Sequence, residues 1–309
     1  IEDSKGYMWF ATDRGVAKYD GYEFEVFTTD DGLIENVVFS LFEDVKGRIW
    51  FVSYSMLLSY YYEGEIEPYK YNDIIKKSSQ TGSQVSSFIV DNMDNVHIGM
   101  NYRGKITILS NGTVQNNTLE SVKTKRGVHF SEIKNLSFHY GTKANKKNSK
   151  INASKTHTEF NFHVNGADAK TIRLKNNNNQ NVIKIANSSG TSSFFSFSGS
   201  IYNFNENGEV KLFYESDSKI INLFETESSI YVGTYKNGGY RLNKETRSID
   251  FEFLKTLSVS SINEDNEQGY WITTLENGIY YTPNLYNFTL NNNNFGDENY
   301  ISYVTGNKQ

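Results

Sequence analysis

Apolar residues fall in short runs along this chain, and the runs are closed by Asp, Asn, Gly or Ser. The runs are too short for helices, and the closing residues start turns or accept positive φ, so the pattern predicts strands joined by tight turns. Near the start, Tyr7–Ala11, Val16–Tyr19 and Phe24–Phe27 read as three strands, parted by Asp13-Arg14-Gly15 and Asp20-Gly21. The segment Thr29-Asp30-Asp31-Gly32-Leu33 then crosses to a second group of four. That group reads as Val38–Phe42, a buried inner strand, followed by Arg48–Val52, Met56–Tyr61 and Ile66–Tyr71, with turns at Glu43–Gly47, Tyr54-Ser55 and Glu63-Gly64.

The grouping repeats. Glu2-Asp3-Ser4-Lys5-Gly6-Tyr7-Met8-Trp9-Phe10 aligns without a gap on Glu43-Asp44-Val45-Lys46-Gly47-Arg48-Ile49-Trp50-Phe51. A third copy runs from Val90-Asp91 to His97-Ile98, with His97 in the tryptophan position. Glu264-Asp265 followed by Tyr270-Trp271-Ile272 is a late copy, and Ile230-Tyr231-Val232 repeats the same strand before it. Trp9, Trp50 and Trp271 are all the tryptophans of the chain, and they share one repeat position with His97 and Tyr231. Buried plugs between neighbouring sheets are what such recurring large residues are for. Four antiparallel strands in about forty residues is the blade of a β-propeller.

Repeats are clear over 1–110 and 190–290 and degenerate over 111–189. Phe194-Phe195-Ser196-Phe197 reads as a worn copy with its anchor at Phe195, and spacing places one more anchor near position 150. Candidate strands between are Val128–Phe130, Glu159–Val164, Thr171–Leu174 and Val182–Ile185, with the polar run Thr142–Thr156 as a long exposed loop. The expected fold is therefore all-β, a single propeller over 1–309 with seven four-stranded blades. The first blade lacks an inner strand. Tyr300–Val304 could supply it and close the ring, or open a further repeat of a longer protein. Ile1-Glu2-Asp3 reads as the end of a strand already under way, so the chain is expected to be a fragment.

Composition narrows the function without naming it. Aromatic residues make up 15% of the 309 residues, which suits half-buried pleated surfaces. The net charge is -5 with scattered Lys and Arg, against the basic face of a nucleic-acid binder. There are no cysteines, hence no disulfides. No stretch is apolar enough to span a membrane as a helix.

The residues quoted carry a likeness. Phe27–Leu33 followed by Asn36–Trp50 resembles the two-component regulator propeller repeat: an aromatic, Asp-Gly-Leu, an apolar strand, Glu-Asp, Gly and Trp. Tyr270–Asn284 resembles it too. The resemblance implies the periplasmic sensor region of a Bacteroidetes-type histidine kinase, in a membrane-anchored parent whose downstream domains are its partners. It implies no catalysis within this chain. A secretion or cell-surface accessory propeller, and a glycan-active enzyme propeller, are the alternatives.

Asp3, Asp44, Asp91 and Asp265 recur in turns, where Asp bonds the local backbone. The five histidines, His97, His129, His139, His157 and His163, lack metal-ligand spacing, so no metal and no cofactor is expected. No nucleophile elbow or phosphate-binding glycine loop occurs, so no catalytic residue is assigned. Loops between the second and third strands of all blades must emerge on one face. They place Arg14, Tyr54, Tyr102, Arg103, Tyr235, Lys236 and Glu276 around one mouth as candidate ligand-binding residues. The expected ligand is a small molecule, a glycan or a protein partner, a second copy of the chain included.

Overall fold

A computed structural model of the protein describes residues 1–78, 85–100, 104–115, 126–131, 136–141, 157–164, 167–175, 184–188, 194–204 and 209–283. They form seven sheets, numbered here in chain order. Sheet 1 is Met8–Thr12, Gly15–Tyr19 and Phe24–Phe27, and sheet 2 is Val38–Glu43, Ile49–Ser53, Leu58–Tyr62 and Glu65–Pro68. Sheet 3 is Val85–Val90, Val96–Met100, Gly104–Ile108 and Val114–Gln115, and sheet 4 is Arg126–Ser131, Leu136–Gly141, His157–Val164 and Ala167–Lys175. Sheet 5 is Lys184–Ile185, Phe194–Phe197, Ser200–Phe204 and Val210–Glu215. Sheet 6 is Ile220–Glu225, Ser229–Thr234, Gly239–Asn243 and Ile249–Phe253, joined by the short parallel strand Asn187–Ser188. Sheet 7 is Val259–Glu264, Tyr270–Thr274 and Gly278–Thr282.

The core is a set of seams between sheets. Trp9, Phe27, Leu33, Val38 and Phe51 fill the seam from sheet 1 to sheet 2. Trp50, Ile75, Phe88 and Ile98 fill the next, and Phe224, Tyr231, Val259 and Ile272 the one between sheets 6 and 7. Each tryptophan plugs the gap between its own sheet and the following one. Trp9 is 1% exposed and packs on Phe51 and Tyr61, at 5.9 and 4.9 Å between ring centroids. Trp50 is 2% exposed and meets Phe88 at 5.8 Å. Trp271 meets Phe10 and Tyr19 of sheet 1, both at 5.5 Å, so the last sheet packs on the first and the row closes into a ring. The β-propeller architecture is as expected.

A carboxylate six residues upstream holds each plug. The indole Nε1 of Trp9, Trp50 and Trp271 donates to Oδ2 of Asp3, Asp44 and Asp265 at 2.8, 2.7 and 2.8 Å. The other oxygen of each Asp accepts two backbone N–H groups of its own turn, for example Lys46 and Arg48 at 2.9 and 3.1 Å for Asp44. Local backbone bonding was expected of these aspartates; the indole bond was not. The glutamate before the Asp clips the previous sheet: the Ser4 N–H donates to Glu43 at 2.8 Å, and the Asn266 N–H to Glu2 at 2.7 Å. Val90 stands in the glutamate's place in sheet 3, and there Lys46 and Arg48 of sheet 2 reach across to Asp94 instead.

Asp-Gly-Leu also has a physical reading. Thr28 and Asp31 form a capping box on the 3-10 turn Thr29–Asp31. Gly32 has φ +104 and lies against the Ile66 carbonyl, where a side chain would not fit. Leu33 is then delivered into the first seam.

Some expectations need correction. The outer strand of sheet 2 ends at Pro68 rather than Tyr71: Tyr69 turns in to meet Trp50 edge-on at 5.4 Å, and the helix Asn72–Ser78 follows. The inner strand of sheet 2 is not buried throughout, since Phe39 is 64% exposed. The second strand of sheet 4 is Leu136–Gly141, and its register puts Ser137 at the anchor position in place of a residue near 150. The run 142–156 and the expected closing strand Tyr300–Val304 lie outside the described residues.

Asp44→Ala strands a buried indole N–H and two turn amides and is expected to cost about 2–3 kcal/mol in chemical denaturation. Trp50→Phe removes the donor together with part of the buried ring, leaves Asp44 Oδ2 its Arg48 bond, and should lower the midpoint through the cavity it opens. The clips also predict acid sensitivity. Hydrogen bonds from Lys46 and then Arg48 hold the Asp94 carboxyl below its usual range; burial works against Asp91, yet bonds from His97 and Asn95 outweigh it and lower it as well. Carboxylates depressed in the folded state stabilise above their unfolded value and lose that contribution as pH falls. The urea midpoint should therefore drop as pH falls below about 4, and Asp94→Asn should flatten the drop.

Candidate functional site

The Asp turns occupy one end of sheets 1, 2, 3 and 7, so the loops from second to third strand leave at the other end, together with the crossings into the inner strands. Backbone bonds knit the two kinds of segment. The Tyr54 N–H donates to the Val37 carbonyl, the Tyr235 N–H to Lys219 and the Leu275 N–H to Ser258, at 2.9, 2.9 and 3.0 Å. The inner strands carry a bulge at this end: pairing skips one residue after Val38, Val85, Ile220 and Val259. A bulge re-aims a side chain. In sheet 2 the skipped residue is Phe39, whose exposed ring meets that of Tyr54, itself 63% exposed, edge-on at 5.5 Å.

The expected ligand-binding residues divide by what holds them. Arg14 is exposed, its N–H donating to Thr12 Oγ1 at 3.0 Å. Tyr235 is 41% exposed, with Lys219 and Lys236 over its ring. Glu276 is a clamp: its two oxygens accept the Ser258 N–H and hydroxyl at 2.7 and 2.6 Å, and these bonds hold its carboxyl below the usual range. Ser258 Oγ in turn accepts the Lys236 N–H at 3.0 Å, so Lys236, Ser258 and Glu276 form one cluster. In sheet 2 the polarity is reversed, with Glu35 of the crossing accepting from Ser55 of the loop. Tyr54 and Arg14 belong to other sheets and share no hydrogen bond with that cluster among the described residues. Tyr102 and Arg103 lie outside the described residues. Phe39, Lys219 and Ser258 were not anticipated. A bulge cannot be read from sequence, and the latter two lie in crossings rather than in the loops.

The repeat anchors are tied to partners close in the chain. His97 Nε2 lies 3.1 Å from Asp91 Oδ2, in the indole's place, and Nδ1 lies 3.1 Å from Thr107 Oγ1. The carboxylate can only accept, so Nε2 donates to it, and Nδ1 and the Thr107 hydroxyl share the second bond. This carboxylate–imidazole–hydroxyl series has the order of a hydrolase relay, but Thr107 is 4% exposed within a strand, where no substrate reaches it. At Tyr231 the Asp is replaced by Glu225, which pairs with Lys244 at 2.8 Å. Among the described residues no cluster of His, Asp or Glu is arranged to hold a metal.

Residues 32–55 match the two component regulator propeller family. The match spans Gly32-Leu33, the Glu43-Asp44 clip, Trp50 and Tyr54, and its repeat is one of sensor and interaction propellers rather than enzymes. No curated protein matches the chain. Among solved structures it is similar to PorZ, an essential bacterial surface component of the type-IX secretion system of Porphyromonas gingivalis, with 12% identity, 88% of this chain and 44% of that chain covered, and TM-score 0.57. It is similar to the WD40 β-propeller domain of Doa1, with 13% identity, 89% and 88% covered, and TM-score 0.56. YCF48 from Cyanidioschyzon merolae gives 10% identity, 89% and 91% covered, and TM-score 0.56. The chain thus spans less than half the length of PorZ, and likeness at these identities is one of fold.

Glu276→Ala removes both acceptors of Ser258. Hydrogen exchange should then quicken at the Ser258 and Lys236 amides while those of Asp3 and Asp44 turns keep their protection. Unchanged exchange at Ser258 would mean that the clamp is not closed in solution.

Proposed function

We propose that this propeller is the extracytoplasmic sensing module of a two-component regulator and reads its ligand at the loop face. The observation that carries the reading is the match of residues 32–55, a segment that holds both a seam plug and the exposed Phe39–Tyr54 pair. The division of labour supports it. In sheets 1, 2, 3 and 7 one end is committed to turn aspartates and plugs, and the other end presents aromatic and charged side chains on loops anchored by a rigid frame. A ligand bridging loops of several sheets acts on elements that already pack against one another. It can bias how the ring sits on downstream domains by as much as its affinity differs between the two arrangements. Among the described residues no helix is long and apolar enough to cross a membrane. In this reading the anchoring helix and the kinase are other parts of a longer polypeptide.

The test uses the full-length regulator with a transcriptional reporter. Tyr54→Ala and Tyr235→Ala are expected to blunt the response to inducer and to leave the unfolding midpoint of the propeller unchanged. Wild-type response in both variants would overturn the assignment of this face. A defect in protein export, with the response intact, would move the chain to the secretion-accessory class.

A further inference from the structure

Tyr235 gathers two ammonium groups from two different segments. Lys219 Nζ, in the crossing before the inner strand of sheet 6, lies 5.4 Å from the ring centroid, and Lys236 Nζ, in the loop itself, lies 5.2 Å from it. Backbone and side-chain contacts fix the two segments against each other. The Tyr235 N–H donates to the Lys219 carbonyl at 2.9 Å, the Lys236 N–H to Ser258 Oγ at 3.0 Å, and Asn237 Nδ2 to Ser218 Oγ at 2.8 Å. Lys236 is held at φ +63, a conformation that non-glycine residues adopt only when the surroundings impose it. Neither ammonium has an ion pair among the described residues, whereas Lys18, Lys46, Lys244 and Lys255 each have one. The acid that acts on Lys236, Glu276, has both oxygens taken by Ser258. Two like charges held beside one exposed ring, in a chain of net charge -5, are an arrangement that an incoming anion stabilises.

We infer that Lys219, Tyr235 and Lys236 form a subsite for an oxyanion, a carboxylate, sulfate or phosphate group carried by the ligand at this face. The ring holds the ammoniums by cation–π attraction. Two charged donors then meet the oxygens of the anion. The inference rests on the sensor reading for what carries the anion, not for the subsite itself.

Isothermal titration of the 309-residue chain with sodium sulfate, sodium phosphate and sodium acetate, against chloride at constant ionic strength, tests it and separates the three sources. At least one anion is expected to bind saturably. The Lys219→Ala/Lys236→Ala double variant should bind it about tenfold more weakly, with its unfolding midpoint unchanged, and Lys219→Arg/Lys236→Arg should restore binding. No saturable binding of any of the three, or wild-type affinity in the double alanine variant, would overturn the subsite. Anion binding lost in the double variant while the full-length regulator carrying the same two substitutions responds normally would support the subsite and count against its use in sensing. A neutral inducer whose effect needs Tyr54, with no anion bound, would overturn the subsite alone.

Discussion

An indole N–H buried between two sheets has no water to bond, and leaving it unpaired costs about 1–3 kcal/mol. In this ring Trp9 and Trp50 meet that requirement with an aspartate six residues upstream, and the half-buried Trp271 repeats the bond. The aspartate can serve because its other oxygen is fixed by two amides of the turn that precedes the plug. Turn, plug and seam are therefore one network. The next residue of the same turn donates to the glutamate of the following sheet, which extends the network across two of the seams, the one from sheet 7 to sheet 1 among them. Where the plug changes, its partner chemistry follows: His97 keeps the aspartate and recruits Thr107, while Tyr231 loses the aspartate to a Glu225–Lys244 pair.

Putting the structural chemistry at one end leaves the other end free to vary. The loop face is also held by carboxylate–serine clamps, but their direction differs between sheets: Glu35 to Ser55 in one, Ser258 to Glu276 in another. The position of the loop is conserved by the frame, and the side chains it presents are not. An exposed aromatic pair results at sheet 2 and a cation–aromatic group at sheet 6. Recognition by such a surface depends on loops far apart in the chain and brought to one end of the ring.

What could be read along the chain was whatever repeats locally. The Asp turns, the plug positions and the three-strand grouping of sheet 1 all involve residues within a few positions of one another, so spacing alone reveals them. Sheet 4 escaped this because Leu136–Gly141 carries neither the aspartate nor the tryptophan, and Pro68 ended a strand whose apolar pattern continues to Tyr71. Arg14, Tyr54, Tyr235, Lys236 and Glu276 were found in the loops because propeller connectivity dictates which loops share a face. Tertiary structure decided what each can do there. Glu276 spends its oxygens on Ser258, Phe39 is turned out by a bulge, and Lys219 reaches Tyr235 from another segment. These depend on pairing register and on contacts between segments distant in sequence, which carry no period. The closure of the ring through Trp271, Phe10 and Tyr19 is of the same kind: the sequence by itself determined the plugs, and only the folded ring brought the last of them onto the first sheet.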